Sequence, residues 1–310
     1  MDSTERLDGR ALVYIAIALI TWSSAYAAIA YALASFTPGE VALARLAIGS
    51  LCFALLIWAK RVPLPQRKDW PQLAVLGVIG LTVYHLCLNY AETRIASGTA
   101  AIIISLVPAA TTTLSALWIG ERISMRNMLG LGVALLGVVL VVLASGKQVK
   151  LQPMAGLVVV SVIACAVLFV GQKPLFTRNN VIGVTAFGFF AGTLGTVPFG
   201  LGLPHALALA PWSHIAALLW LGIAPTFVGY LAWNAALHRA SASQVSSFIY
   251  LSPPIAVFIG WIWLGEQPGW LTLIGGAITV AGVALANARR SKPASAPMAA
   301  AATEQACKQT

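Results

Sequence analysis

The sequence predicts an all-α integral membrane protein with ten transmembrane helices, arranged as two inverted five-helix repeats. Three observations lead to this fold class. The 310-residue chain is 59% hydrophobic and only 9% charged, whereas a soluble domain carries about 25% charged residues. Apolar runs of bilayer-spanning length recur along the chain, and its two halves match at one constant spacing.

Ten apolar runs are each long enough to cross a hydrocarbon layer about 30 Å thick. Lipid offers no hydrogen-bonding partner for a bare backbone, so each run is expected to be a helix. The ten predicted helices cover residues 11–34, 39–59, 70–92, 96–119, 125–144, 153–175, 181–203, 212–237, 242–264 and 269–288.

The lysines and arginines predict the orientation of these helices. With the N-terminus inside, 15 of the 19 basic residues lie in cytoplasmic segments and 3 in outside loops, while Arg45 lies within the second helix. Such an excess marks the cytoplasmic side. We therefore expect a multi-pass protein of the plasma (inner) membrane with cytoplasmic N- and C-termini. The basic residues form no patch, so no nucleic-acid partner is expected.

The two halves of the chain match without gaps when they are shifted by 145 residues. An odd number of helices in each half makes the second half enter the membrane from the opposite side, which is the inverted repeat of secondary transporters. We predict a first repeat over residues 11–145, a second, inverted repeat over 153–290 and a disordered cytoplasmic tail over 291–310. The matched pairs include Asn89 with Asn234, Pro108 with Pro253, Glu121 with Glu266, Gly130 with Gly275 and Gly137 with Gly282.

The chain resembles the drug/metabolite transporter superfamily, EamA type, over about residues 11–288. The most specific stretches are "YAETRIASGTAAIIISLVPAATTTLSALWIGERIS" and its copy "WNAALHRASASQVSSFIYLSPPIAVFIGWIWLGEQP"; "WSSAYAAIAYAL" and "PGEVALARLAIGSL" add to them. The resemblance implies a ten-helix exporter of amino acids and other small metabolites. It places helices 1, 3, 4, 6, 8 and 9 around a cavity and helices 5 and 10 to one side. The stretch "GQKPLF" has no counterpart in the first half, which argues against strict symmetry of the site.

Polar and aromatic side chains recur at steps of three and four on the same six helices that the resemblance places at the cavity. Side chains at this spacing share one helix face. For the serines and threonines the alternative is a bond to a helix backbone, and for several aromatic residues it is anchoring at the lipid interface. The predicted substrate-binding residues are Trp22, Tyr26, Tyr84, His85, Asn89, Ser105, Thr112, Phe169, Gln172, Tyr230, Trp233, Asn234, Ser247 and Tyr250.

Five charged or titratable residues lie in or beside the predicted helices, and the sequence suggests a different role for each kind. His85 is favoured as functional, because ionisable groups within a membrane usually are. Arg45 either pairs with Glu40, reaches an interface or contacts the substrate. Lys173 is expected to extend to the cytoplasmic face. Glu121, like its repeat partner, is expected to cap a neighbouring helix or to pair with a basic residue.

Two prolines are predicted hinges. Pro108 and Pro253 cannot donate to the carbonyls of Ile104 and Ile249, so each weakens its helix near the middle of the membrane. Helices 4 and 9 are expected to bend in alternation and so to gate the two mouths of the cavity.

The predicted function is a secondary transporter that moves small metabolites, amino acids or related amphipathic amines, by alternating access and in the direction of efflux. The alternatives are a multidrug or nucleotide-sugar-type carrier, or a channel or sensor. Coupling is either to protons through His85 or absent. We expect a monomer or homodimer in the lipid bilayer.

The sequence does not predict an enzyme, a cofactor or a metal site. None of the aspartates lies in a predicted helix, which excludes an aspartyl intramembrane enzyme. The motif His-Glu-x-x-His is absent from the sequence, and the four cysteines have no metal-ligand spacing.

Overall fold

The chain is helical in the part that the computed structural model describes, which is residues 8–94, 100, 103–121, 123–144, 154–252, 255 and 269–287. No β-strand occurs among these residues. Six helical segments are long and apolar enough to cross a membrane, and three shorter helices are also apolar. An all-helical membrane architecture is therefore established, while the count of ten stays a prediction, since the ninth predicted helix is described only in part.

The bounds of the helices follow the predicted runs closely. The α-helices are α1 Gly9–Ser23, α2 Ala25–Ala32, α3 Pro38–Lys60, α4 Trp70–Gly77, α5 Tyr84–Glu92, α6 Val107–Ile119, α7 Met125–Ala144, α8 Ala155–Gln172, α9 Val181–Thr196, α10 Leu203–Leu209, α11 Trp212–Leu221, α12 Gly229–Arg239, α13 Ala242–Ser247 and α14 Trp270–Asn287. The π segment Val78–Val83 joins α4 to α5, and the π segment Gly222–Val228 joins α11 to α12. The 3-10 segments are Arg67–Asp69, Lys173–Thr177, Val197–Phe199 and Phe248–Leu251.

Helix α3 shows how the sequence sets the ends of a membrane helix. The Thr37 side chain accepts a hydrogen bond from the backbone N–H of Glu40, and the Glu40 carboxylate accepts one from the Thr37 N–H at 2.8 Å. This capping box satisfies two backbone donors that the first turn leaves free. Pro38 stands in that turn, where its missing N–H costs nothing. The helix ends at Arg61, whose φ of 48° lies in the left-handed region.

The two π segments occupy matching places in the two halves. A shift of Val78–Val83 by 145 residues gives 223–228, and the observed second segment is Gly222–Val228. A π segment holds an extra residue within a helix, is rare, and is often found at functional sites. The matching irregularity is consistent with the repeat spacing read from the sequence.

The predicted helices 4 and 9 are also interrupted at matching places. Ser105 and Leu106 form a turn before α6, and the 3-10 segment Phe248–Leu251 follows α13; the shift of 145 places Leu106 on Leu251. Pro108 lies in the first turn of α6, directly after this turn, and its role as a hinge stays a prediction. Pro253 lies outside the described residues.

Helices α7 and α14 form a tight antiparallel pair. A side chain at Gly130 would collide with the backbone of Ala286, and one at Gly282 would lie 2.8 Å from the Gly130 carbonyl oxygen. A side chain at Gly137 would lie 2.6 Å from the Gly275 carbonyl oxygen. The equivalent glycines of the two halves thus meet crosswise, Gly130 with Gly282 and Gly137 with Gly275. This is the contact expected of two equivalent helices related by a two-fold axis.

Large side chains fill the interior and also cover the outside. Trp233, Phe53 and Phe169 are fully buried among helices of both halves, whereas Trp58 is 81% exposed and Leu117 is 80% exposed. A soluble protein rarely leaves so many large apolar side chains uncovered. The exposed set is the surface expected to meet lipid.

Candidate functional site

A cavity of about 60 Å³ lies between the helices, at their central sections. Residues of both halves of the chain line it. The first half contributes residues of α1, α2, α3, α5 and α6, and the second half contributes residues of α8 and α12. The structure brings together six of the predicted substrate-binding residues in its wall: Trp22, Tyr26, Tyr84, His85, Phe169 and Tyr230.

One wall of the cavity is a contiguous aromatic cluster. The Trp22 ring lies parallel to that of Phe169, with an interplanar angle of 7° and centroids 6.2 Å apart, and meets Tyr230 edge-on at 5.2 Å. Trp233 lies behind these rings, 4.9 Å from Trp22. The Trp22 indole donates a hydrogen bond to the Pro225 carbonyl at 2.9 Å, in the second π segment. The π segment thus orients the central ring of the cluster.

Arg45 adds a positive charge to the same cavity. Its side chain is 3% exposed, lines the cavity, and donates from Nε to the Thr226 hydroxyl at 3.1 Å. Of the three alternatives for Arg45, pairing with Glu40 does not occur among the described ion pairs, and the Glu40 carboxylate instead accepts a hydrogen bond from the Thr37 N–H in the α3 capping box. Within the described part of the chain Arg45 forms no ion pair.

His85 and Glu92 are buried acid–base groups on α5 without visible partners. Both His85 ring nitrogens and both Glu92 carboxylate oxygens lack a hydrogen-bond partner among the described residues. The His85 ring packs edge-on against Tyr84 at 4.8 Å and lines the cavity. Glu92 continues the same face of the helix towards its end. Glu92 was not among the predicted substrate-binding residues, although it lies three residues after Asn89, a spacing that shares one helix face.

Three of the remaining predicted residues lie outside the cavity wall. Gln172 and Asn234 belong to a buried amide network, and Asn89 lies near a helix end. Gln172 donates to the Asn234 carbonyl oxygen at 2.7 Å, and Asn234 donates to the Thr185 hydroxyl at 2.9 Å. Asn89 donates to the Pro38 carbonyl at 3.1 Å, between α5 and the start of α3. These amide side chains bond to other protein groups. They connect α8 with α12, α12 with α9, and α5 with the start of α3.

The other five predicted residues are not part of the cavity wall. Trp233 packs behind it, with its indole nitrogen unpartnered among the described residues. Tyr250 is buried in a separate cluster with Leu131 of α7. Ser247 donates to the Gln244 carbonyl at 2.7 Å, as a helix serine often does. Ser105 is buried at the turn before α6 and Thr112 is buried within α6.

Arg45 and Cys165 are the chemically distinctive cavity residues that the predicted set left out. Arg45 was identifiable as an arginine several residues inside a predicted helix. Cys165 lies four residues before Phe169 in the sequence, a spacing that places both on one helix face and could have identified it. Among the described residues no cluster of histidine, cysteine, aspartate and glutamate has the arrangement of a metal site.

One end of the helix bundle, which we call the Lys173 end, is closed by contacts between the halves. The Glu121 carboxylate accepts hydrogen bonds from the backbone N–H groups of Ala242 at 2.9 Å and Ser243 at 3.3 Å. The predicted helix capping by Glu121 is therefore confirmed, whereas Glu266 lies outside the described residues. Lys173 does not extend freely, because its ammonium group donates to the Leu237 and Ala240 carbonyls.

An ion pair at the same end joins the buried carboxylate of Asp69, at the start of the third predicted helix, to the exposed Arg178 in the segment after α8. Arg178 donates to Asp69 at 2.6 Å, and this carboxylate raises the pKa of the Arg178 guanidinium. Asn179 donates to the same carboxylate at 2.7 Å. The pair is part of the surface of the Lys173 end and does not touch the cavity.

Comparison with known proteins gives matches over both halves. The EamA-like transporter family matches residues 9–143 and again residues 152–288. A crystal structure of a protein has the same fold, with a TM-score of 0.72 at 21% identity, over 91% of this chain and 97% of that chain.

Curated relatives of similar length include named exporters. A probable terminal-alkyne amino-acid exporter of Streptantibioticus cattleyicolor is 31% identical over 93% of this chain and 98% of its own length. A pseudopaline exporter of Pseudomonas aeruginosa is 28% identical over 88% of this chain and 95% of its own. An uncharacterized transporter of Bacillus subtilis is 32% identical over 84% of this chain and 86% of its own.

Proposed function

The chain belongs to the EamA-like transporter family, and from that premise we propose that it is a secondary transporter which exports amino acids or related amphipathic amines by alternating access. One observation carries the proposal: residues of both halves line a single cavity between the helices, with aromatic rings on one wall and Arg45 and His85 beside them. Such a lining suits a small amphipathic solute.

The size of the cavity supports a carrier that changes shape. The cavity of about 60 Å³ is small, and we propose that the helices separate to admit a solute as large as an amino acid. In a carrier that separation occurs at one mouth at a time.

The closed Lys173 end supports one arrangement of the two mouths. Glu121 and Lys173 link the first half and α8 to the backbone around α12 and α13. We propose that these bonds close the cytoplasmic mouth, because the basic residues of the chain concentrate at this side. Opening that mouth then requires Glu121 and Lys173 to release their partners.

The internal repeat supports the inversion that alternating access uses. The π segments, the interruptions before α6 and after α13, and the crosswise glycine contacts of α7 and α14 match at one spacing. Two related halves of opposite orientation can exchange conformations around a shared site. We place the two halves at residues 11–145 and 153–290.

The direction of transport and the substrate class rest on the relatives. Two of them are named as exporters, one of an amino acid and one of pseudopaline. We therefore propose efflux across the plasma (inner) membrane, by a monomer or homodimer, with protons as a coupling ion through His85 or Glu92.

Transport by purified protein in liposomes tests the proposal. Uptake of a panel of labelled amino acids and amines is measured against concentration. A carrier gives uptake that saturates for at least one member, and preloading with the same solute accelerates it. Uptake that rises linearly with concentration and ignores preloading identifies a channel instead, and absence of uptake for every member overturns the proposed substrate class.

A further inference from the structure

We propose that Arg45 is the subsite for a substrate carboxylate, placed in the same cavity as the aromatic wall of Trp22, Phe169 and Tyr230. This inference rests on the proposed transport function and narrows its substrate class. The expected ligand is an amino acid with a single carboxylate and an apolar, preferably flat, side chain.

The first step is the incomplete bonding of the Arg45 guanidinium. This group has five N–H donors in a fixed plane. In the described part of the chain it makes one hydrogen bond, from Nε to Thr226, although the side chain is 3% exposed. A charge removed from water without a partner is costly, and such groups within membrane helices are usually functional.

The second step is that no acid among the described residues forms a hydrogen bond or an ion pair with Arg45. Glu40 accepts from the Thr37 N–H in the capping box of α3. The two Glu92 oxygens have no hydrogen-bond partner in the described residues. The guanidinium donors that Thr226 does not use are therefore left for a ligand. A carboxylate matches their geometry with two parallel hydrogen bonds.

The third step is the wall beside the arginine. Trp22 lies parallel to Phe169 and edge-on to Tyr230, and the Pro225 carbonyl fixes the indole. Flat apolar groups pack well against such rings. The described cavity residues include a single arginine and no lysine, which favours one carboxylate over a phosphate, since phosphates recruit several cationic groups.

Counterflow in liposomes with matched ligands tests the assignment. Vesicles holding the full-length protein are loaded with L-phenylalanine, L-leucine or L-methionine, and uptake of the labelled amino acid is measured. The competitors are the same three amino acids and their carboxamides, which replace the carboxylate by a neutral group of the same shape. Each acid is expected to compete at least about tenfold better than its amide. The reason is that the amide loses one charge-assisted contact with the guanidinium, and the loss of such a contact weakens binding by about this factor.

Substitutions locate that preference at the arginine. Arg45→Gln is expected to remove the acid-over-amide preference, and Arg45→Lys, which keeps the charge without the planar fork, to restore part of it. Arg67→Gln, at an exposed position, is the matched control and keeps the wild-type preference. If Arg45→Gln does not fold, equal competition by acids and amides in the wild-type protein still overturns the subsite, and Arg45→Lys still tests whether the preference depends on the arginine.

The outcomes separate this inference from the transport function. Equal competition by acids and amides, or an acid preference that persists in Arg45→Gln, overturns the carboxylate subsite while transport stands. Counterflow that amides support and acids do not also overturns it. Absence of counterflow for all acids and all amides overturns the amino-acid transport function together with the subsite.

Discussion

The carboxylate of Glu121 accepts a hydrogen bond from the backbone N–H of Ala242 at 2.9 Å and so joins the end of α6 to the start of α13. Ser243 donates to the same carboxylate. These bonds connect the first half of the chain to the second at the Lys173 end. A contact of this kind favours the conformation in which that end is closed.

Glu121→Gln is expected to open the Lys173 end more often. A hydrogen bond to a charged group contributes about 1.5–3 kcal/mol, so its loss shifts the ratio of open to closed forms by about tenfold or more. Cys165 lines the cavity and serves as the reporter after Cys52, Cys87 and Cys307 are replaced by serine. The rate at which a membrane-impermeant thiol reagent, added on the side of the Lys173 end, labels Cys165 is expected to rise.

A matched substitution at the same end controls for charge. Asp8 pairs with Arg239 at 3.0 Å on the exposed surface, and such pairs contribute roughly 0–1 kcal/mol. Asp8→Asn should leave the labelling rate of Cys165 close to wild type. Equal labelling rates in wild type, Asp8→Asn and Glu121→Gln would remove Glu121 from the closing contact.

Substitutions of two glycines in α7 are expected to change stability in opposite directions. A Cβ at Gly130 collides with the backbone of Ala286, whereas one at Gly132 meets nothing within 4 Å. Gly132→Ala should therefore stabilise the helix by about 0.5–1 kcal/mol, while Gly130→Ala forces α7 and α14 apart at a cost of about 1–3 kcal/mol. Thermal unfolding of the detergent-solubilised protein measures both; a stabilised Gly130→Ala would contradict the close helix contact.

Pro108→Ala is expected to slow transport. Alanine supplies an N–H for the Ile104 carbonyl and allows the helix to run on through the turn at Ser105 and Leu106, which stiffens the proposed hinge. Counterflow rate is the measurement. Pro204→Ala is the control, because Pro204 also lies in the first turn of a helix, the short α10. An unchanged counterflow rate in Pro108→Ala would contradict the proposed hinge.

A pH gradient across the liposome membrane is expected to drive uptake if protons are coupled. His85 and Glu92 are the groups in question, since their polar atoms lack partners among the described residues. Arg45, Tyr26 and Tyr84 line the same cavity as His85, and the Tyr84 ring packs edge-on against the His85 ring. His85→Gln or Glu92→Gln should abolish the effect of the gradient but retain counterflow. His205→Gln, at an exposed position, should keep both. If the rate of uptake by the wild-type protein does not change with the gradient, the protein is a facilitator without proton coupling.

Much of the fold was predictable because lipid imposes a simple rule on the sequence. An apolar run of about 20 residues must be helical, and the described helices lie within about two residues of the predicted runs, except for the short α10, which falls between predicted helices 7 and 8. The internal spacing of 145 residues also anticipated the crosswise contacts of Gly130 with Gly282 and of Gly137 with Gly275. The π segments were not predictable, because an inserted residue leaves no signal in hydrophobic periodicity.

The candidate site was predictable only in part, because a polar stripe gives a helix face but not what it meets. On α5 the stripe led correctly to the cavity residue His85, yet Asn89 on the same face bonds to Pro38. Gln172 and Asn234 satisfy each other across two helices, which no single-helix pattern reveals. Arg45 stayed undecided in the sequence, although the pattern Thr37-x-x-Glu40 is that of a capping box and already offered Glu40 a partner other than Arg45.

The measurement that tests the central claim most directly is trans-stimulated counterflow with a substitution in the aromatic wall. Wild-type protein and Trp58→Ala, changed at an 81% exposed position, should both accelerate uptake of a labelled amino acid when the vesicles are preloaded with it. Trp22→Ala should lose that acceleration, because its ring contacts Phe169 and Tyr230 in the cavity wall. Acceleration that persists unchanged in a folded Trp22→Ala protein would contradict the claim that this cavity is the transport site.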